Sequence, residues 1–428
     1  MTARSFLNQR IKLSRRAFGF AGALSMSGFW QAATAVALSK SDLANLSNAM
    51  RRPIEQGEIA GMVTLLASKG QTHVEALGVK DLQSQEPMRR DTIFRIASMT
   101  KPVTAAAAMI LVEEGKLGLD DPVDKFLPEL ANRSVLRSLD GPLDDTVPAK
   151  RPITLRDLLT FRMGLGAIMV YPAQYPIQHA MEEAGVAPSA DIFSKSADEF
   201  MKRLGSPPLV HQPGEAWMYH TGLDVTGVLI ARAAGKSLGD FMAERIFEPL
   251  GMKDTGFFVS PEKLDRLATA YQRDETGKLV VWDKARGGKW DGPPPFDAGG
   301  AGLVSTVDDF HAFARMMLSF GEHESKRILT RESVEAMTTD QITREQKAAS
   351  PFYPGFWDNR GWGLGLSMTR APDGSGHYGW DGGYGTTYVA NPARDTVAIL
   401  LMQRMMAGPD DFVINLEFLK LAYEAIES

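Results

Sequence analysis

Ser98 and Lys101, in the stretch Phe94-Arg95-Ile96-Ala97-Ser98-Met99-Thr100-Lys101, are the residues whose types and spacing most directly suggest chemistry. If a helix begins at Ser98, the three-residue spacing sets the hydroxyl and the amine on one face, within reach of each other. That arrangement is a nucleophile beside a base. The first helical turn also leaves backbone N–H groups unpaired at the positive end of the helix dipole, which favours an oxyanion forming at the serine. Pro102 fits there, because so near the start it forfeits at most the first helical bond. Ser-x-x-Lys also arises by chance, and a serine at a helix start is commonly only a cap. The Ala-rich apolar run after Lys101, ending in Glu113-Glu114-Gly115, reads as a helix buried on most sides and stopped by glycine. A lysine at the mouth of such a helix is partly desolvated and pushed toward its neutral, base-competent form.

The elements that position this pair can be read along the chain. Leu43, Leu46, Met50 and Ile54 predict an amphipathic helix over Ser41 to Gln56. Gly61 to Ala67 and His73 to Val79 read as two strands joined across Ser68-Lys69-Gly70-Gln71. Beyond Leu119 the chain turns helical and rich in loops, with no strong strand expected until about residue 270. A helix capped at Thr154 precedes the breaks at Gly164 and Gly166. Residues 138–151 and 164–190 read as long surface loops, the kind that border a site or form a lid. Leu223 to Ala234 reads as a helix ended by Gly235, and Leu238 to Phe247 as another, stopped by Pro249 and Gly251. Strands return at Gly302 to Ser305, Gly385 to Ala390 and Thr396 to Met402, the last two forming a hairpin across Asn391 to Asp395. Asp411 to Ile426 reads as a final helix, and the Pro/Gly cluster at Trp290 to Pro295 as a connector. Strands at both ends around a helical middle imply an α+β chain: a discontinuous α/β lobe over about 40–100 and 300–428, and an all-helical lobe over about 101–299.

Composition narrows the chemistry. The 428 residues suffice for a large core and two lobes, and 44% hydrophobic with 23% charged residues is ordinary for a globular chain. A formal charge of -5 and the lack of a basic stripe argue against nucleic acid as a partner. With no cysteine, thiol nucleophiles and Cys-ligated zinc are excluded; the 7 histidines show no metal-binding spacing, so chemistry without metal or cofactor is expected. Arg4, Arg10, Lys12, Arg15 and Arg16 precede an uncharged run from Ala17 to Leu38. Ser14-Arg15-Arg16-Ala17-Phe18 resembles a twin-arginine export signal, with Ala33-Thr34-Ala35 or Ala35-Val36-Ala37 as the cleavage site. Residues 1–37 therefore read as a removed signal of a periplasmic protein that keeps no membrane insertion; the other reading is an uncleaved anchor. Cleavage would remove five positive charges and no negative ones, taking -5 to -10.

Two further stretches join the first. Ser98-Met99-Thr100-Lys101, Pro213-Gly214-Glu215-Ala216-Trp217-Met218-Tyr219-His220-Thr221 and His377-Tyr378-Gly379-Trp380-Asp381-Gly382-Gly383-Tyr384-Gly385 follow one another as the three motifs of a single site. In this order they resemble the serine β-lactamase and penicillin-recognising superfamily, on the branch of class C β-lactamases, DD-peptidases and family VIII carboxylesterases. The resemblance runs from about residue 45 onward, with support at Ile153 to Gly166, Ile246 to Met252 and Gly300 to Thr306. It implies a two-lobe fold with an antiparallel sheet flanked by helices, and Tyr219 as the catalytic tyrosine. Each motif has a plainer reading: Tyr219 as a core tyrosine, His377 as a strand-edge histidine, and Gly379, Gly382, Gly383 and Gly385 as a bulged strand.

The resemblance further implies acyl transfer to Ser98, with Lys101 and Tyr219 sharing removal of the hydroxyl proton and Tyr219, as a phenolate favoured by the nearby ammonium, returning a proton to the leaving group. The oxyanion would lie between the backbone N–H of Ser98 and that of the residue after the third motif. That donor is Trp380 if the motif is His377-Tyr378-Gly379, the preferred register, and Gly383 if it is Trp380-Asp381-Gly382. His377, Gly379, Thr221 and Gly382 would border the substrate. Where the family often has Tyr-x-Asn and Lys-Thr-Gly, this chain has Thr221 and His377, which weakens recognition of an acylamido group and an acid. The expected substrate is a small carboxylic ester. The alternatives are a β-lactamase or D-amino-acid peptidase, an acyltransferase, and a scaffold without chemistry.

Overall fold

The computed structural model describes residues 38–188, 194–350, 352–370, 376–408 and 411–427. The expected signal at 1–37 lies outside the described residues.

Helix α1 (Lys40–Glu55) starts where the Ser39 hydroxyl accepts the N–H of Asp42, and it buries Leu46, Ala49, Met50 and Pro53. Strands β1 (Gly61–Ser68) and β2 (Gln71–Gly78) form the expected hairpin. A short strand, β3 (Phe94–Arg95), pairs with β4 (Val304–Ser305). Strands β5 (Arg360–Trp362), β6 (Ser367–Arg370), β7 (Gly376–Gly382), β8 (Thr386–Asn391) and β9 (Thr396–Met402) complete the main sheet. Its order is β5-β6-β7-β8-β9-β1-β2, antiparallel throughout. The two ends of the chain thus meet in the middle of one sheet, along β9 and β1 from Met62 opposite Met402 to Ser68 opposite Thr396. Both strands are buried along their whole length, which explains why they read as unbroken apolar runs rather than alternating ones.

One face of the sheet is covered by α1 and the final helix α5 (Val413–Glu427), through Leu46, Met50, Leu66, Leu400, Ile414 and Phe418. The larger core takes in helix α2 (Thr100–Glu113), buried from Thr100 to Leu111, with α3 (Leu155–Leu159) and α4 (Gly222–Ala234). The Thr154 cap of α3 is a full capping box with Asp157.

Several expectations need correction. Residues 101–299 are mainly helical but hold two small antiparallel ladders, Ser134–Leu136 with Thr146–Pro148 and Ala270–Arg273 with Leu279–Asp283. The first lies partly in the expected loop at 138–151, and the expected loop at 164–190 contains the helix Pro176–Ala184. The helix from Leu238 does not stop at Pro249. It widens into a π-turn over Ala243–Phe247 and continues through Glu248–Leu250 to Gly251, which takes the left-handed cap. Wider hydrogen bonding just before the proline lets the chain tolerate its missing N–H.

Candidate active site

The serine sits at a corner. The Ile96 N–H donates to Leu303 O at 3.0 Å, and Ala97 then adopts the left-handed conformation, with φ of 43°. Such a conformation costs a residue with a side chain about 1–3 kcal/mol and turns β3 sharply into the 3₁₀ turn Ala97–Met99, which runs on into α2. Ala97 and Met99 are fully buried while Ser98 is only half-buried, and of the three Ser98 lines the cavity. Lys101, one turn on, is 0% exposed. Its Nζ donates to Ser98 Oγ at 2.9 Å and to Gly300 O at 2.7 Å. Burial pushes this ammonium down to about 7, against the opposing charge of Asp224.

Tyr219 reaches the same place from the segment before α4. Its ring is packed by Phe161, Phe352, Trp217 and Trp380, with centroids 5.2, 5.4, 5.7 and 5.5 Å away. The Trp380 indole N–H donates to the phenol oxygen at 2.7 Å, Ser98 is its other hydrogen-bond partner, and Lys101 Nζ lies 4.7 Å from the ring centroid. Burial raises the phenol's pKa, outweighing the two hydrogen bonds that favour the phenolate. The resting group is a phenol, which corrects the expectation of a phenolate favoured by the ammonium: the cage that aims the ring also strips it of water.

The third motif is placed differently from the preferred register. Trp380 is a paired strand residue, opposite Tyr388, whose side chain faces Tyr219. Gly383, just past the end of β7, lines the cavity with Ser98. Gly383 lies outside the strand, and among the described residues no turn or loop carbonyl takes its N–H. The geometry therefore favours Gly383 over Trp380 as the partner donor. His377, five residues before the end of the strand, pairs with Thr369, lies with its ring tilted 5.6 Å from that of Tyr423 and lines a different cavity. Gly379 lies inside the sheet, where an added Cβ would stand 2.0 Å from Tyr388 O. Gly382 lets β7 approach the serine corner, since a Cβ there would stand 2.3 Å from Ile96 O. Thr221 is buried at the start of α4. None of these four lines the Ser98 cavity.

That cavity, of about 250 Å³, has walls from Ala167, Met169, Tyr171, Phe352, Tyr353, Phe356, Met405, Met406 and Phe412, with Ser98, Tyr219, His220, Arg360 and Asp381 among its polar groups. Ala167, Met169, Tyr171 and Pro188, from the stretch expected as a loop over 164–190, thus border the site. A larger cavity of about 1020 Å³ shares Ala167, Met169, Phe352, Tyr353 and Phe356 with it but is lined by none of Ser98, Tyr219 and Trp380. Sequence reasoning missed Asp224 and His220. An acid five residues after the tyrosine, inside the apolar helix Gly222-Leu223-Asp224-Val225, was the signal available for the first. The second stood in the motif beside Tyr219 without being assigned a role. Among the described residues no group of His, Cys, Asp or Glu could hold a metal ion.

The Beta-lactamase family profile matches residues 46–421. The chain belongs to that family. Within the beta-lactamase family it is 40% identical over 364 residues to Protein Rv1367c of Mycobacterium tuberculosis H37Rv, covering 83% of this chain and 88% of the relative. It is 28% identical over 404 residues to Esterase EstB of Burkholderia gladioli, covering 88% and 95%. Its fold superposes on that of EstCE1, described as a hydrolase with promiscuous acyltransferase activity, with a TM-score of 0.74 at 24% identity over 90% of this chain and 99% of the other. Esterases are thus among its relatives, as the family VIII-like motifs implied.

Proposed function

We propose that the protein is a serine hydrolase that cleaves small carboxylic esters through an acyl-enzyme on Ser98. The observation that carries this is the 2.9 Å approach of a fully buried lysine amine to the Ser98 hydroxyl, which lines the cavity. In its neutral form Lys101 accepts the Ser98 proton while still donating to Gly300 O. The oxygen attacks the ester carbonyl, and the N–H groups of Ser98 and Gly383 receive the developing oxyanion. The Tyr219 phenol, protonated at rest, gives its proton to the departing alkoxide, and the Lys101 ammonium returns one to the phenolate. Water then repeats the sequence on the acyl-enzyme with the same groups.

An ester suits the cavity because its walls are aromatic and aliphatic, and because neither Thr221 nor His377 supplies the amide or cation that an acylamido acid would need. The relatives named as esterases support the same reading. The test is intact-protein mass after brief exposure to short p-nitrophenyl esters and to a fluorophosphonate. A single adduct on the wild type that is absent from Ser98→Ala is expected. Turnover of nitrocefin without turnover of the esters would overturn the substrate class.

A further inference from the structure

We propose that Asp224 is a positioning residue for this acyl transfer: the buried counter-anion that, working through Gly300, holds Lys101 against Ser98. The inference rests on the reading of Ser98 and Lys101 given above and adds a residue that does not touch the substrate.

Asp224 lies in the first turn of α4 and is 2% exposed. Its Oδ1 accepts the Gly300 N–H at 2.8 Å, and the Gly300 carbonyl accepts from Lys101 Nζ at 2.7 Å. One residue's own N–H and C=O therefore tie the carboxylate to the amine. The tie needs glycine, because a Cβ at residue 300 would stand 2.7 and 2.8 Å from the two carboxylate oxygens. The neighbouring Gly299 carbonyl accepts the Thr104 hydroxyl at 2.7 Å, and a Cβ at 299 would stand 2.5 Å from Leu223 O. Residues 299–300 are thus clamped between α2, which carries the lysine, and α4, which carries the acid.

The charges around the amine leave this role to Asp224. His220 Nδ1 stands 3.8 Å from Asp224 Oδ2 without a hydrogen-bond partner, and burial together with the Lys101 charge holds that imidazole neutral. Tyr219 is a phenol, and Asp381 bears on Tyr219 from β7. Among the described residues, Asp224 is the anion whose charge acts on Lys101. Burial raises the Asp224 carboxyl while the lysine lowers it, as befits two groups sharing one dry site. When Lys101 takes the serine proton it becomes a buried cation, and the carboxylate is what makes that cation tolerable.

The experiment is the pH profile of kcat/KM for wild type and Asp224→Asn. Asparagine keeps the shape and the oxygen that accepts the Gly300 N–H, and removes only the charge. The acid limb should move to lower pH by about one to three units, as expected when an opposite charge is withdrawn. The plateau kcat should fall roughly 10- to 100-fold with KM little changed, because the weaker base is the poorer catalyst. Asp224→Glu, which keeps the charge, should leave the limb near the wild-type position. A limb unmoved in a folded Asp224→Asn overturns the proposal. If that variant does not fold, Gly300→Ala, which crowds the carboxylate out of place, should shift the limb the same way by less; an unmoved limb there overturns it equally. The rate of fluorophosphonate labelling of Ser98 against pH gives the same limb without turnover. Failure of the wild type to label at Ser98 would remove the acyl-enzyme reading and this one together, whereas labelling with a limb common to both proteins removes only this one.

Discussion

In the proposed mechanism Lys101 serves as the base because the fold makes its charged form hard to keep. An exposed lysine at neutral pH is almost wholly protonated; here burial brings the amine down to about 7, so that a useful fraction is free to accept the serine proton. The sign follows directly. Below that value the amine is increasingly an ammonium with no lone pair to offer, so kcat/KM for a neutral ester should fall as pH drops from 7 toward 5, less steeply once the Asp224 carboxyl also takes a proton. A profile flat across that range would assign the base elsewhere. Trp380 makes a second case at this scale. Its indole N–H is a donor to the Tyr219 oxygen at 2.7 Å, and Trp380→Phe removes it while keeping an aromatic wall. One lost hydrogen bond of net 0.5–1.5 kcal/mol predicts a fall of roughly 2- to 10-fold in kcat with KM little changed. The closeness of Ser98 and Lys101 was legible as a short local pattern, and Tyr219 joined them through the resemblance of its motif. Asp224 was not, because its link to Lys101 passes through Gly300, 76 residues further along, and neither partner announces the other.

At the scale of elements, the proposed site depends on how closely β7 approaches the corner that carries Ser98. The Thr386 hydroxyl donates to Ile96 O at 3.1 Å, and Gly382 leaves room for that bond. An added Cβ would stand 2.2 Å from the Thr386 hydroxyl oxygen and 2.3 Å from Ile96 O, so Gly382→Ala must push the strand end away from Ser98 and take Gly383 with it. A misplacement of about 1 Å costs on the order of 10²-fold in rate, and that is the expected fall in kcat, with the circular dichroism spectrum unchanged. The buried strands, the capped helix at Thr154 and the hairpin at Asn391 to Asp395 were legible because their apolar runs, cap or turn residues are local. The register of the third motif was not. Glycines 379, 382, 383 and 385 look alike in sequence, yet only pairing within the sheet separates Gly379, wedged against Tyr388 O, from Gly383 at the cavity. The π-turn before Pro249 was hidden for a related reason: a proline reads as a stop unless the preceding turn can widen, and packing decides that.

At the scale of the whole molecule, distant segments must be locked together for β3 to present Ser98 at all. Arg95, 0% exposed, is the lock. Its guanidinium donates to Asp283 at 2.9 and 2.5 Å, to Ala268 O at 2.6 Å, to Lys284 O at 3.0 Å and to the Gln403 side chain at 3.2 Å. It thereby joins the strand before the serine, the ladder at 270–283 and the end of β9. The guanidinium also lies 5.2 Å from the centroid of Trp290, whose own N–H donates to Gly302 O at 2.8 Å. The Trp290 stretch, read from sequence as a connector, is therefore anchored in the core by its first residue. None of this was legible, because the partners are 173 to 308 residues away and a lone arginine in an apolar stretch gives no hint of where its charge is met. The energetics are testable. Arg95→Met strands the Asp283 carboxylate, itself only 5% exposed, without its cation and should cost about 3–5 kcal/mol of unfolding free energy, read as a lower urea midpoint. Removing both charges in Arg95→Met/Asp283→Leu should recover most of that loss, because a buried pair replaced by apolar groups is close to neutral. A double variant as unstable as the single would mean that the lock works through the carbonyl bonds to Ala268 and Lys284, with the ion pair incidental to holding the serine strand in place.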